Sequence, residues 1–369
     1  MTANETLPKR LKERVSEHEN HPVQFAKDED GNFHPVTYGE LWRRITQLAV
    51  ALQKLGVKRG EHVGIMSDNR QEWLVTDFAL LSLGAVDVPR GSDSTQEEMV
   101  YILRHADCKV TFAENPGQCE KILTGASTMP ELETIVLYDD YETPDQRPET
   151  GRITIRSYAE VMATAEDLGE EEVEVFEKEV ALGKSDDLAT LLYTSGTTGE
   201  PKGVMLTHRG FLFQMDRVYN ILHLTHNDIF LGVLPIWHSF ERAVEYIVLN
   251  YGASVAYSRP IGKIMLEDMA KIRPTWMTSV PRIWEGIRAA VHRNVSKQSP
   301  VKQALFHFFV WVGEIHADLL SMFKGLLPEF KKRSRIADVA LSVLPLVILT
   351  PFRLLANALV FGSLKQRLG

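Results

Sequence analysis

Between residues 36 and 280, short apolar runs alternate with segments of helical periodicity, and glycine or proline closes most of them. This alternation constrains the chain more than any other feature, because strand–helix–strand order builds mostly parallel sheets covered by helices. Residues 36–56 set the pattern. Leu41, Ile45, Leu48, Leu52 and Leu55 recur at helical spacing, and Gly56 suits a left-handed stop. Thr37 and Glu40 stand at capping-box spacing, the hydroxyl accepting from an orphan N–H while the carboxylate reaches back. A strand at 61–66, a helix at 71–83 stopped by Gly84, and a strand at 85–88 stopped by Pro89 follow. A helix is expected at 95–105, and extended segments at 109–112, 134–138, 189–193, 229–234, 253–257 and 275–280. The fold class expected is α/β.

Two stretches break the rhythm. Residues 139–152 read as a loop, and 169–179 as a solvated acidic segment with no ligand role. After Val291 no strand is expected. Residues 302–323 carry Leu305, Phe308, Phe309, Val312, Ile315 and Leu319 at helical spacing, and a basic cluster at 331–335 precedes a very apolar stretch, 339–361. With 369 residues and ~150 per domain, the chain divides into residues 1–180, a first α/β subdomain, 181–290, a second one, and 291–369, a helical insertion.

The formal net charge of −8 argues against general nucleic-acid binding, which takes a basic excess. Only two cysteines, Cys108 and Cys119, exclude a disulfide scaffold, so a reducing compartment is the default. The first fifteen residues have no apolar core of a secretory signal. A cytoplasmic protein is expected.

The densest chemical signal is Leu191-Leu-Tyr-Thr-Ser-Gly-Thr-Thr-Gly-Glu-Pro-Lys-Gly-Val204, an apolar strand running into hydroxyls, glycines and a lysine. Gly196, Gly199 and Gly203 permit close backbone approach, so successive N–H groups can turn toward one anion. Thr194, Ser195, Thr197 and Thr198 add donors without negative charge, and Lys202 adds a compact mobile cation. The physics points to a triphosphate. A Walker A loop is excluded, since Lys202 follows Pro201 and precedes Gly203. A flexible hydroxyl-rich surface loop is the plainer alternative, disfavoured by the strand before it and Pro201 inside it.

Residues 193–204 resemble the signature loop of the adenylate-forming (AMP-binding) superfamily. Thr37-Tyr-Gly-Glu-Leu41, Leu83-Gly-Ala-Val-Asp-Val-Pro89, Leu234-Pro-Ile-Trp-His-Ser-Phe-Glu-Arg242 and Ser279-Val-Pro-Arg-Ile-Trp-Glu285 add to the likeness. The last two, and the helical insertion after them, resemble the long-chain fatty acyl-CoA synthetase branch. The resemblance implies a ligase that joins a fatty acid to ATP, releases pyrophosphate, and passes the acyl group from AMP to coenzyme A. It implies that Thr194, Ser195, Gly196, Thr197, Thr198, Gly199 and Lys202 hold the β- and γ-phosphates. Thr194 would also help ligate Mg²⁺. His238 would lie at the α-phosphate and acyl carboxylate, making Lys202, His238 and Thr194 the catalytic set; local packing of the imidazole is the alternative. Trp237 and Phe240 line the acyl tunnel or belong to the core. Glu241 and Arg242 are expected as a structural pair. Arg282 lies near the pocket or in a helix-start salt bridge. Arg90, Asp93, His208, His223 and His226 are left as structural or surface residues.

The family's Tyr-Gly-x-Thr-Glu motif, ribose-binding Asp and lid lysine do not occur here, so the resemblance covers the first part of a family member. An N-terminal fragment, inactive as a complete ligase by itself, is the expectation. A truncated nucleotide- or lipid-binding protein, and a ligase for aryl or short acids, are the competing readings. The uncharged run before Arg353 is about 14 residues, short of the ~20 that span a bilayer. Pro345 and Pro351 are expected to interrupt helix hydrogen bonding. Peripheral contact through 331–367 with the inner face of a membrane is therefore expected instead of a span, the alternative being helices packed on the protein itself.

Overall fold

Helix α2 shows how the sequence pattern becomes structure. In the computed structural model, which describes residues 3–28, 30–194, 200–218, 221–327, 334–362 and 364–365, α2 is Tyr38–Lys54. Thr37 caps it by accepting from the Glu40 N–H at 3.2 Å. The capping box is only half formed, because the Glu40 carboxylate pairs forward with Arg44, one turn on. Leu41, Ile45, Leu48 and Leu52 are all fully buried.

The remaining helices are α1 (Leu7–His18), α3 (Gln71–Leu83), α4 (Gln96–His105), α5 (Pro116–Leu123), α6 (Tyr158–Ala163), α7 (Glu170–Leu182), α8 (His208–Val218) and α9 (Ser239–Asn250). Four more follow, α10 (Gly262–Ile272), α11 (Pro281–Ser296), α12 (Pro300–Lys324) and α13 (Arg335–Ala356). The strands are β1 (Pro22–Lys27), β2 (Phe33–Thr37), β3 (His62–Met66), β4 (Val86–Arg90), β5 (Val110–Ala113) and β6 (Thr134–Leu137). They continue with β7 (Thr154–Ser157), β8 (Leu188–Thr194), β9 (Lys202–Thr207), β10 (Ile229–Gly232), β11 (Ser254–Tyr257) and β12 (Trp276–Met277).

The chain packs as two compact units, residues 1–259 with 274–278, and residues 260–273 with 279–369. The first holds both sheets. One runs β7-β6-β5-β3-β4-β8-β9, parallel except for β9 against β8; the other runs β12-β10-β11-β1-β2, parallel except for β2 against β1. The β1–β2 hairpin was not legible in the sequence. A cut at residue 180 would pass through the seven-stranded sheet, where β8 pairs with β4 at Asp87–Thr190.

Helix α3 is buried from Trp73 to Leu83, as expected of a helix apolar on every side. Trp73, Leu74 and Phe78 share one core cluster with Leu41, Ile45 and Leu48 of α2, Val63 and Ile65 of β3, and Tyr246 of α9. Gly84 closes α3 in the left-handed conformation, at φ 67°.

Three expectations are corrected here. Strand β4 runs through Pro89 to Arg90 in register with Ile65–Met66 of β3; its pairing to β8 occurs only at Asp87. The acidic stretch 169–179 is the start of α7, which buries Phe176 and Val180 while its carboxylates take Lys12, Lys54 and Arg59. The charged residues hid a helical stripe. Arg242 does not pair with Glu241. It is fully buried, gives a bidentate 2.8 Å pair to Asp87, bonds Asp77, and donates from Nε to the Tyr246 hydroxyl at 2.7 Å. Tyr246 donates in turn to Asp77 at 2.6 Å. Two carboxyls thus share one cation, and burial, ahead of the pull of Arg242, pushes Asp77 up to about 7. The cluster ties α9 to α3 and β4.

In the second unit α12 and α13 pack against each other through Phe308 and Phe352, their ring centroids 6.3 Å apart. Pro345 and Pro351 do not break α13, which continues as a π-type turn at Asn357–Phe361. Each proline removes one donor, and the rest of the ladder carries the helix through. Arg353 in the last turn donates to Asn357 at 3.1 Å and lies 4.8 Å from the centre of the Phe361 ring.

Candidate active site

Strands β8 and β9 form the hairpin that carries the hydroxyl-rich loop. Their register brings Thr194 opposite Lys202, so the two described candidates stand side by side where the strands meet the connecting loop. Both are exposed, and Lys202 has no ion-pair partner among the described residues. Ser195, Gly196, Thr197, Thr198 and Gly199 lie outside the described residues. A Cβ at Gly203 would stand 2.9 Å from the tip of the Leu191 side chain and 3.3 Å from the Tyr193 ring, so a larger residue there would have to shift Leu191. At the same end Tyr193 meets His105 and Pro201 meets Tyr101, both partners on α4.

His238 is the N-cap of α9. Its own N–H donates to Pro235 O at 3.0 Å, closing a tight turn, and its Nδ1 accepts from the Phe240 N–H at 3.3 Å. Nδ1 therefore carries the lone pair, and the proton of the neutral ring is on Nε2. The residue is exposed. Asn69, unmarked in the sequence reading, holds the same turn from the β3–α3 loop. Its Nδ2 donates to Leu234 O at 2.6 Å and its Oδ1 accepts from the Ile236 N–H at 2.8 Å. Nothing in a sequence pattern links positions so far apart.

Trp237 and Phe240 part company. The Trp237 ring lies 4.8 Å from the Arg90 guanidinium and against Gly91, where a Cβ would stand 2.4 Å from Nε1. Arg90 itself pairs with Glu98. Phe240, 53% exposed, lines a cavity of about 750 Å³. Phe211, Leu222, Val244, Trp276 and Met277 complete its main walls, and no charged side chain among the described residues lines it.

Beneath the turn, Glu241 accepts from the Thr278 hydroxyl and from the N–H groups of Val233 and Leu234, and burial pushes its carboxyl up to about 7. Glu245, equally buried, accepts from Tyr257 at 3.2 Å. His208 starts α8 and accepts at Nδ1 from the Leu7 N–H; burial holds its imidazole down at about 4, so it is a neutral structural residue. His226 stacks on His18 at 5.6 Å. Arg282 is exposed in the first turn of α11, with no ion pair among the described residues. Cys108 and Cys119 are free and buried.

The AMP-binding enzyme family model matches residues 11–347 of this chain. The chain belongs to that family. Among curated AMP-binding relatives, a chloroplastic long-chain-fatty-acid–[acyl-carrier-protein] ligase of Arabidopsis thaliana is 28% identical over 90% of this chain and 47% of its own length. Long chain acyl-CoA synthetase 3 of the same plant is 30% identical over 80% of this chain and 44% of its own. The chain thus spans just under half the length of the curated relatives it matches. Among solved AMP-binding structures, the A-PCP didomain of a carboxylic acid reductase from Segniliparus rugosus gives a TM-score of 0.67 at 22% identity, covering 83% of this chain and 47% of that one. A long-chain-fatty-acid-CoA ligase from Archaeoglobus fulgidus gives 0.64 at 21% identity, covering 79% and 54%. These likenesses agree with the α/β fold of parallel sheets flanked by helices.

Proposed function

We propose that this AMP-binding enzyme is a long-chain fatty acid–CoA ligase that forms AMP. The observation carrying the long-chain reading is the uncharged, apolar cavity of about 750 Å³ whose wall includes Ser239 and Phe240, the two residues after His238. Its volume lies within the ~300–1,000 Å³ of small-molecule sites, and its lining suits an aliphatic tail better than an aryl acid with polar substituents.

Adenylation brings a carboxylate to the α-phosphorus of ATP, anion to anion, so catalysis is chiefly positioning and charge neutralisation. Lys202, Thr194 and the backbone of 195–199 hold the β- and γ-phosphates, which leave as pyrophosphate. His238 donates from Nε2 to the α-phosphate or the acid. The acyl-adenylate then meets the thiol of CoA, which takes the acyl group and releases AMP. The relatives' names include both CoA and acyl-carrier-protein acceptors; CoA is proposed here. Among the described residues no cluster of three or more His, Cys, Asp or Glu stands ready for a metal. A single Thr194 hydroxyl is enough for Mg²⁺, a hard cation that takes most of its oxygens from phosphates and water, and bound there it would supply charge neutralisation.

Ala243 lies on the cavity wall between Phe240 and Val244. Ala243→Phe is expected to lower turnover of a C16 acid about tenfold and leave a C8 acid within about twofold. An equal loss for both chain lengths, in thioester assays on the whole protein, would remove the cavity from the acyl path.

Peripheral membrane contact is also proposed, through 331–367. The helix 335–361 is long and apolar enough to cross a bilayer yet mostly unburied in its own unit. Leu341, Leu344, Val347, Ile348 and Leu355 are exposed. The basic run Lys331-Lys-Arg-Ser-Arg335 precedes them, which suits an anionic surface. The protein is expected to float with anionic liposomes at low salt; protein left at the bottom would contradict this contact.

A further inference from the structure

Residues 195–199 join Thr194, the end of β8, to Glu200 and Pro201, which precede β9. One face of one helix grips both sides of this segment. On α4, Tyr101 and His105 stand one turn apart with their rings stacked, centroids 5.4 Å from each other. His105 Nδ1 lies 2.7 Å from the Tyr193 hydroxyl, immediately before Thr194. The Tyr101 hydroxyl donates to Pro201 O at 3.2 Å, immediately before Lys202. Tyr193 meets both rings edge-on, at 6.5 Å and 5.7 Å.

The helix behind this grip is well anchored. Thr95 caps α4, and Met99, Ile102 and Leu103 are buried. Leu103 packs so closely on β3 that a Cβ at Gly64 would stand 2.5 Å from it. Lys121 of α5 donates to Ser92 O and Ser94 O in the loop that leads into α4. A loop that binds polyphosphate through backbone N–H groups must be ordered to do so, and fixing its ends beforehand lowers the entropy lost on binding.

We propose that Tyr101 and His105 are positioning residues for the ATP site, holding Tyr193 and Pro201 so that their chain neighbours Thr194 and Lys202 are set in place before the polyphosphate arrives. The proposal rests on the reading of 194–202 as the ATP site. It assigns a specific readout: affinity for ATP depends on this grip, whereas affinity for AMP, which lacks the β- and γ-phosphates, does not.

The experiment measures dissociation constants for ATP and AMP and the urea midpoint on the whole protein, for wild type, Tyr101→Phe, His105→Ala and His105→Gln. Tyr101→Phe deletes one hydroxyl and keeps the ring; His105→Gln keeps an acceptor for Tyr193. The first two substitutions are expected to weaken ATP about five- to tenfold, an effect of one hydrogen bond's size. AMP should stay within about twofold, and His105→Gln should recover most of the loss. ATP affinity unmoved in Tyr101→Phe and His105→Ala overturns the proposal, as does an equal fall for ATP and AMP accompanied by a lower urea midpoint. If wild type binds no ATP, the nucleotide reading falls and the grip with it; ATP binding indifferent to the substitutions overturns the grip alone.

Discussion

Replacing Arg242 with methionine is expected to cost the first unit about 3–5 kcal/mol of stability. The guanidinium is fully buried between Asp77 and Asp87, which are themselves at zero exposure. Trp73, Phe211 and Tyr246 surround it, their ring centres 5.2 to 5.8 Å away. Methionine fills part of the volume and leaves two carboxyls without a cation. They answer by holding protons, which raises their folded pKa values further above the unfolded value near ~3.9. A carboxyl whose folded pKa is raised contributes stability fully present below the unfolded value and lost as pH rises through the folded one. Arg242→Met is therefore expected to be nearest wild type at about pH 4 and furthest from it at neutral pH. Urea denaturation at several pH values checks this. Adding Asp77→Asn and Asp87→Asn should recover part of the loss, because a neutral cluster is cheaper to bury than an unpaired charge. A loss under about 1 kcal/mol at neutral pH would mean that the triad does not hold α9 to α3 and β4.

The largest effect on chemistry is expected at Lys202. It begins β9 directly after the connecting loop of the hairpin, exposed and opposite Thr194. Lys202→Ala should leave the unfolding free energy from urea denaturation within about 0.5 kcal/mol, since no contact among the described residues depends on the ammonium group. Acid-dependent adenylation on the whole protein should fall about 10²–10³-fold, as when one charge-stabilising donor is removed from a preorganised site. Lys202→Arg should restore only part, because a planar guanidinium replaces a compact, mobile ammonium. Stability lost together with activity would make Lys202 a structural residue of the hairpin.

How much of this was legible beforehand depends on the range of the interaction. Local rules carried α2 with its Thr37 cap, α3 with its Gly84 stop, and the strand leading into the loop at Leu191. Partnerships across the fold carried no local mark. Arg242 meets Asp77 and Asp87, more than 150 positions away, while its chain neighbour Glu241 turns to Thr278. Asn69 and the Tyr101–His105 pair lie on other segments from the turns they hold. The misreadings have local causes as well. Six glutamates masked the Phe176 and Val180 stripe of α7, and Pro345 and Pro351 were given more power to break α13 than a single missing donor each exerts.

The most direct test of the central claim is exchange of labelled pyrophosphate into ATP by the whole protein, with and without carboxylic acids of graded length. Exchange that requires an acid, is strongest with chains of about sixteen carbons and is lost in Lys202→Ala is the predicted result. Exchange that is absent, that needs no acid, or that is best supported by benzoate-like acids would contradict it.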